Sequence, residues 1–513
     1  MKKSWNTRRI LVLVFVLSFI NTAILAKDYT DTLLVQVNGV GGGTKATVTV
    51  NEHDGLYDLN LRNFILKDET TRLAVGNVEI SNIEPQKVDN KTFLIVSRDI
   101  TISPGDLEGE TWYGPMLGAL PVEVTAVLEG DELQALINLN LMSTLQQIIE
   151  VRFGSKLVNG NGFHIPNGGF EAWHKSSGSY QEPNAWHSFE SATGSLASSA
   201  GHHIEKSDKG RNESTCARIY AKTVTFLGIP VAVANGTMTT GRMNAGSTSA
   251  DNPANNAYID MSQTDKDGNG DPFYVSLKSR PDSLVLYMQF KQATTNKDHP
   301  YATVSAVITD GTYYQDPEDK TYKNVVAKAK NNEIAATNGN WERIAIPFVY
   351  ENNNVEPKAI LVTISTNAKA GTGNDGDEVL VDDITLVYNS KLSSLNVSGF
   401  EPDKFEYEVD ELNTETLNPV VDGKAAFVVQ RTEETEEAKR AFITVVSADM
   451  RGSKTYKVTA KKDTNGIQKP EMVLPDQSPV TSYGIDGRPV NHAQKGQIII
   501  VRQADGKTVK VRK

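Results

Sequence analysis

The chain has 513 residues, of which 39% are hydrophobic and 22% charged. This composition is typical of folded domains and excludes both a disordered chain and a multispanning membrane protein. The formal net charge of -11 argues against nucleic acid as a partner, because a phosphate backbone requires a basic surface. Cys216 is the single cysteine, so the chain can form neither an internal disulfide nor a cysteine-based zinc cage.

The N-terminus predicts an export signal. Basic residues within 2–9 precede the apolar run 10–20, and Ala26 offers a small side chain at the expected cleavage point. We therefore expect residues 1–26 to be removed and the protein to lie at the cell surface, outside the cell or in the periplasm. No later apolar run approaches membrane length, so we expect no transmembrane segment after signal removal.

Strand-forming patterns dominate the rest of the chain, as in Leu284–Phe290 and Ile360–Ser365. The segments Asn140–Val151 and Glu433–Arg440 fit a helix instead, although β-branched residues leave a strand open for the first. Composition shifts and turn-rich stretches divide the chain into blocks. We expect an all-β protein whose four blocks cover residues 27–156, 157–390, 391–463 and 481–513, with a proline-containing linker at 464–480 before the last.

The first block contains successive strand patterns joined by short turns, which suits an up-and-down antiparallel barrel. Its segments Tyr57–Phe64, Val75–Ile83 and Leu120–Leu139 resemble the calycin-like (lipocalin-like) domain of exported Bacteroidetes proteins. The resemblance implies a β-barrel at 27–156. The barrel interior either is filled by side chains or holds an apolar ligand.

The second block opens with Asn167–Trp173 and closes with the strand pattern Glu378–Tyr388. These features resemble jelly-roll carbohydrate-binding modules and, more closely, the Bacteroidetes domain family named for carbohydrate metabolism. The resemblance implies a jelly-roll β-sandwich that recognises a glycan or polysaccharide. A glycoside hydrolase and a cell-surface adhesin or structural protein remain the two alternatives.

A glycan site would need aromatic rings with polar neighbours. Polar, loop-like sequence indicates exposure for four aromatic residues, Tyr180, Trp186, Tyr313 and Tyr314. Trp173 directly follows the opening turn, where a core position is favoured over an exposed one. No nucleophile motif or particular carboxylate pair marks catalytic residues. The candidate carbohydrate-binding residues are Trp186, Tyr180, Trp173, Tyr313 and Tyr314.

A structural calcium ion is implied by the same resemblance, because related modules hold one where their first and last strands lie side by side. The candidate ligands are Glu171 and Asp383, with Asp382 as the alternative, since carboxylate oxygens suit Ca²⁺. These carboxylates could instead cap strand ends. A second acidic run, Asp265–Asp271, matches the start of an EF-hand loop, but Ser276 stands where that loop needs a bidentate Glu. This difference favours a simple turn.

The last two blocks predict smaller β structures. Residues 391–463 resemble a small cadherin-like or immunoglobulin-like sandwich. The tail carries the turns Asp486-Gly487 and Asp505-Gly506 between strand patterns, and it resembles the C-terminal sorting domain of the type IX secretion system. The resemblance implies the outer-membrane secretion machinery as a partner, and an ordinary structural hairpin is the alternative.

Overall fold

The structure is a computed structural model that describes residues 25–37, 40–67, 72–141, 147–160, 162–176, 180–211, 214–226, 229–424, 426–462, 481–502 and 507–512. Residues 1–24 of the predicted signal peptide and the predicted linker at 464–480 lie outside this part of the chain. Within the described ranges, no helix is long and apolar enough to cross a membrane.

The chain divides into two compact units. The larger comprises Met1–Phe405 together with Glu415–Arg431 and Phe442–Tyr456. The smaller comprises Glu406–Thr414, Thr432–Ala441 and Lys457–Lys513. The barrel and the sandwich described below both belong to the larger unit.

The first block is one curled antiparallel sheet of nine strands, so the predicted barrel-like fold is confirmed. Its strands are β1 (Leu25–Val37), β2 (Val40–His53), β3 (Leu56–Lys67), β4 (Arg72–Ile83), β5 (Pro85–Val88), β6 (Lys91–Ile100), β7 (Leu120–Glu129), β8 (Glu132–Leu141) and β9 (Gln147–Phe153). They are ordered β4-β3-β2-β1-β9-β8-β7-β6-β5 across the sheet. The edge strands β4 and β5 are separated in the chain by Glu84 alone, so the sheet curls far enough to bring its two edges together at this residue.

Alternation of side chains along the strands separates the two faces of this sheet. Leu33, Ile80 and Val124 point into the enclosed apolar core and are almost fully buried. The helix expected at 140–151 is wrong and the strand alternative is correct, because β8 ends at Leu141 and β9 runs from Gln147. The β-branched residues of this segment pack better on a pleated sheet than in a helix.

A short helix, α1 (Ser155–Asn159), joins the first block to the second, which forms a β-sandwich. A second short helix is α2 (Ala197–Ala200), and 3-10 turns occur at Gly114–Leu117, Phe189–Ser191 and Thr414–Thr416. The strands of this block are β10 (Trp173–Lys175), β11 (Gln181–Pro183), β12 (Ile204–Ser207), β13 (Cys216–Tyr220), β14 (Lys222–Phe226), β15 (Ile229–Ala234), β16 (Thr237–Thr239), β17 (Arg242–Ala245), β18 (Asn255–Tyr258), β19 (Asp260–Thr264), β20 (Pro272–Phe273), β21 (Val275–Ser276), β22 (Ser283–Lys291), β23 (Ala302–Thr309), β24 (Gln315–Asp316), β25 (Val325–Ile334), β26 (Glu342–Pro347), β27 (Val349–Tyr350), β28 (Ala359–Ser365) and β29 (Glu378–Val387).

Two main sheets form the sandwich. One has the order β12-β13-β29-β22-β26, and the other has the order β16-β28-β23-β25-β27 with β21 beside β28. Alternate residues of β22 and β28, such as Leu286 and Val362, fill the core between them. The turn at 167–173, which opens this block, lies beside its last strand, β29. There the backbone N–H of Ile384 donates to the carbonyl of Gly168 at 2.9 Å.

The last two blocks are also built from strands. These are β30 (Leu392–Ser394), β31 (Glu406–Val409), β32 (Val420–Val421), β33 (Phe427–Glu434), β34 (Ala438–Val446), β35 (Ser453–Lys461), β36 (Thr481–Gly484), β37 (Ile498–Arg502) and β38 (Thr508–Arg512). β30 pairs with β32, β31 runs parallel to β35, and β36, β37 and β38 form a three-stranded antiparallel sheet. The helix expected at Glu433–Arg440 is wrong, since this segment joins the end of β33 to the start of β34.

Candidate functional site

Trp186 is part of the sandwich core and was wrongly expected to be exposed. Its side chain is fully buried, its ring lies 5.3 Å from that of Phe170, and its indole N–H donates to the carbonyl of Pro166 at 3.3 Å. A ring enclosed in this way has no free face for a sugar. Its polar neighbours His187 and Ser188 are themselves fully buried, although polar residues of this kind predict an exposed loop.

Trp173 and Tyr180 lie on or beside the small hairpin formed by β10 and β11. Trp173 is half-buried against the sandwich core, and its indole N–H donates to the carbonyl of Phe170 at 2.6 Å. Tyr180 is 47% exposed, and one face of its ring stacks on His202 at a centroid distance of 4.0 Å. Tyr180 therefore has one occupied face, and Trp173 is held at the edge of the core.

Tyr313 and Tyr314 have opposite environments, because neighbouring residues of an extended chain point to opposite sides. Tyr313 is 50% exposed, as expected, whereas Tyr314 is fully buried. Tyr314 packs with Ile259 and Val307 in an apolar cluster. The expectation that Tyr314 is exposed is therefore wrong. The sequence could not show which of the two adjacent tyrosines would point inward.

Tyr313 is the middle member of a group of three tyrosines, which we call the tyrosine row: Tyr258, Tyr313 and Tyr322. Ring centroids are 5.6 Å apart between Tyr258 and Tyr313, and 6.5 Å apart between Tyr313 and Tyr322. The hydroxyl of Tyr313 donates to Gln315 at 2.9 Å, and that of Tyr322 donates to Asp319 at 2.7 Å. The row thus combines aromatic rings with fixed polar groups.

The predicted calcium ligands already have protein partners. Glu171 accepts hydrogen bonds from the backbone N–H of Thr215 at 3.1 Å and from its hydroxyl at 2.9 Å. Asp382 accepts from the backbone N–H of Arg211 at 2.8 Å, and the Arg211 guanidinium pairs with Asp383. These carboxylates do not form the open cage of six to eight oxygens that calcium requires. Calcium at this edge of the sandwich stays a prediction.

A cleft of about 560 Å³ lies next to these carboxylates. Its tyrosine, Tyr287, is covered by the Arg211 guanidinium, whose central carbon lies 3.3 Å from the ring centroid. The cleft therefore lacks a free tyrosine face for a sugar, although its volume is in the range of small-molecule sites. Its polar lining residues are Asn159, His164, Asn167, Arg211, Arg343, Asp383, Thr385 and Arg451.

A separate buried group consists of His174, Glu182 and Asp265, which we call the His-Glu-Asp group. It is the one set of three His, Cys, Asp or Glu ligand atoms within 4.8 Å of one another among the described residues. His174 and Glu182 face each other across the β10–β11 hairpin. Asp265 follows β19, in the acidic turn that the sequence analysis singled out.

The environment of the His-Glu-Asp group disfavours negative charge. Burial, with a smaller effect from the nearby Asp265 carboxylate, raises the pKa of Glu182 to about 7. Glu182 is fully buried, so its carboxyl cannot reach the glycosidic oxygen of a substrate. No sequence motif marks this group, because only the hairpin register brings His174 opposite Glu182.

Comparison with known proteins identifies the first block. Residues 25–156 match the family described as the calycin-like beta-barrel domain, in agreement with the nine-stranded sheet. No curated protein matches the chain at a significant level. The first block is therefore a calycin-like β-barrel domain. The fold of the later blocks is given by the structure alone.

Proposed function

We propose that the protein is an exported glycan-binding protein and that the tyrosine row is its carbohydrate-binding surface. The observation that carries the proposal is the exposed ring of Tyr313, with Tyr258 and Tyr322 on either side. The C–H faces of a sugar ring can pack on such rings while neighbouring polar groups orient its hydroxyls. The sandwich architecture and the sequence resemblance to carbohydrate-related domains support this proposal.

The buried Tyr314 holds the rings of the tyrosine row in position. Tyr314 is fully buried and its ring lies 5.0 Å from that of Tyr322 in an edge arrangement. Its hydroxyl donates to Glu318 at 3.0 Å. Because the buried Tyr314 fixes the backbone next to Tyr313, a sugar would meet a surface that is already ordered, which reduces the entropic cost of binding.

A glycan array probed with the full-length chain tests this proposal. We expect Tyr313→Ala to weaken binding of every array hit by about tenfold, as the loss of about 1.4 kcal/mol of aromatic contact would do. Tyr180→Ala is the matched control, since Tyr180 is similarly exposed but lies outside the row. Equal losses in both variants, or no glycan binding by the folded wild-type protein, would contradict the proposal.

The same array separates the two alternative functions. Release of reducing sugar from a hit would indicate a glycoside hydrolase. Binding to a protein surface in place of any glycan would indicate an adhesin or a structural protein. The structure favours neither alternative by a specific observation, and the buried Glu182 is poorly placed for hydrolysis.

We further propose that the C-terminal tail directs secretion through the outer-membrane machinery. β36, β37 and β38 form a small sheet, and the backbone of Gly487 closes a tight turn with a positive φ of 76°. The tail is the segment that resembles a type IX sorting domain. Deletion of residues 481–513 should trap the protein in the periplasm, and unchanged surface display would refute this role.

A further inference from the structure

We propose that the His-Glu-Asp group is a structural binding site for a divalent transition-metal ion, with Zn²⁺ as its best-fitting occupant. Three side-chain atoms, Nε2 of His174, Oε2 of Glu182 and Oδ2 of Asp265, are buried and have no hydrogen-bond partner. The exposed fraction is 0% for Glu182 and 5% for Asp265. Buried acceptors are nearly always satisfied, so three of them converging on one point indicate a missing positive partner.

In His174 and Glu182, the second polar atom of the side chain, which does not face the group, is held by hydrogen bonds. Nδ1 of His174 lies 3.1 Å from Oδ1 of Asn184, which leaves Nε2 as the lone-pair atom that faces the group. Oε1 of Glu182 accepts from the backbone N–H and the hydroxyl of Ser188, both at 2.6 Å, and from the hydroxyl of Ser191 at 3.3 Å. Such outer contacts are what orient metal ligands in proteins.

The spacing between ligand atoms suits one shared ion. Nε2 of His174 lies 3.6 Å from Oδ2 of Asp265, which is too long for a hydrogen bond. Two ligands that each bind zinc at about 2.1 Å in tetrahedral geometry lie about 3.4 Å apart. All three ligand atoms lie within 4.8 Å of one another, so the site must contract around a bound ion.

The glycine at position 268 leaves free volume between the ligand atoms of Asp265 and His174, which any larger side chain would fill. A Cβ atom on Gly268 would lie 2.1 Å from Oδ2 of Asp265 and 2.9 Å from Nε2 of His174. The turn is closed by the backbone N–H of Gly270, which donates to the carbonyl of Asp265 at 2.8 Å. The carboxylate of Asp271 accepts a hydrogen bond from the backbone N–H of Ala185, which follows β11. This bond links the acidic turn to the β10–β11 hairpin.

The donor set determines which ion fits. One imidazole nitrogen with two carboxylate oxygens suits Zn²⁺ and neighbouring transition metals, whereas Ca²⁺ and Mg²⁺ prefer oxygen ligands alone. The two carboxylates together with a neutral imidazole also balance a doubly positive ion. Because the group is enclosed, we assign the ion a structural role: it ties the β10–β11 hairpin to the turn that follows β19.

The test uses the full-length chain without a polyhistidine tag, dialysed separately against Zn²⁺, Mn²⁺ and Ca²⁺ and then analysed for bound metal. We expect one zinc ion per chain in the wild type and none in His174→Gln, Glu182→Gln or Asp265→Asn. His202→Gln is the matched control, because His202 also pairs with a largely buried carboxylate, Glu190 at 3.1 Å. We expect this control to keep the zinc.

A second readout does not depend on whether the variants fold. Co²⁺ added to the wild-type protein should give the visible absorption of a four-coordinate ion, held by these three side chains and one water molecule, and Zn²⁺ should abolish it. Absence of stoichiometric zinc and of the cobalt spectrum in the wild type would overturn the proposal. Calcium bound in preference to zinc, or loss of zinc in the His202→Gln control, would overturn the assignment of these ligands.

Discussion

The barrel and the sandwich of this protein bury different kinds of side chain. The barrel core consists of residues such as Leu33 and Ile80, and the buried polar residues in the described part of this block are Asn60 and Thr125. The sandwich block has an equally apolar core but also buries charged and titratable side chains, including Glu182, His187 and Asp265. Buried polar groups are costly unless they are hydrogen-bonded, and buried charges are costly unless they are also paired or bind a metal ion. The sandwich block is therefore the better candidate for binding chemistry.

The largest effect should come from the sandwich core. Trp186→Ala removes a fully buried indole that contacts Phe170, so it leaves a cavity and should lower the free energy of unfolding by about 3–5 kcal/mol. Urea denaturation measures this change. Tyr313→Ala removes a half-exposed ring and should cost much less, about 0.5 kcal/mol. Equal costs would show that Trp186 is not a core residue.

Acid should weaken the sandwich through His187. Burial lowers the pKa of this imidazole to about 4, although contacts with the Pro272 carbonyl and with nearby carboxylates act in the opposite direction. The folded protein therefore keeps His187 neutral, while the unfolded chain takes up a proton below about pH 6.5. Stability from this residue is constant above pH 6.5 and falls by about 3 kcal/mol as the pH drops to 4.

The contribution of His187 can be isolated by subtraction. Unfolding free energies of the wild type and His187→Gln are compared at several values from about pH 7.5 down to about pH 4. Their difference should shrink steadily as the pH falls, because only the wild type loses this contribution. A difference that stays constant with pH would mean that folding leaves the pKa of His187 unchanged.

A smaller effect should follow from the acidic turn. Gly268→Ala places a methyl group against Asp265 and His174, so we expect a loss of about 1–3 kcal/mol from overpacking. Gly169→Ala is the matched control, because the nearest atom to its added Cβ lies 3.9 Å away. Thermal unfolding of both variants tests this difference. A control that loses as much stability as Gly268→Ala would exclude a specific clash.

The barrel should show the smallest effect, since its core is uniformly apolar. Ile80→Val removes one methyl group from a fully buried site and should cost about 1 kcal/mol without changing the acid response. Hydrogen exchange along β4 would detect this local loss. A changed acid response would mean that the barrel, like the sandwich, depends on buried titratable groups.

The barrel was the part of the fold that the sequence predicted best. Antiparallel strands with one buried face alternate in a simple pattern, and this pattern survives in the sequence of β7 and β8. The site was predicted less well, because exposure depends on which face a residue occupies after folding. Tyr313 and Tyr314 are adjacent in sequence, yet one is half-exposed and the other fully buried.

The His-Glu-Asp group could not be predicted from motifs at all. His174 and Glu182 lie eight positions apart, and only the register of the hairpin places them opposite each other. Asp265 comes from a distant turn whose sequence resembles a calcium loop. Three side chains that meet only through tertiary structure leave no spacing that a sequence pattern could reveal.

The most direct test of the account is a calorimetric titration of the best glycan-array hit into the wild type, Tyr313→Ala and Tyr113→Ala. Tyr113 is 47% exposed on the barrel block, whereas Tyr313 is 50% exposed on the sandwich, so the two variants differ in location and hardly in exposure. We predict about tenfold weaker binding for Tyr313→Ala and unchanged binding for Tyr113→Ala. Loss of binding in Tyr113→Ala with full binding in Tyr313→Ala would place the glycan site on the barrel and contradict the account.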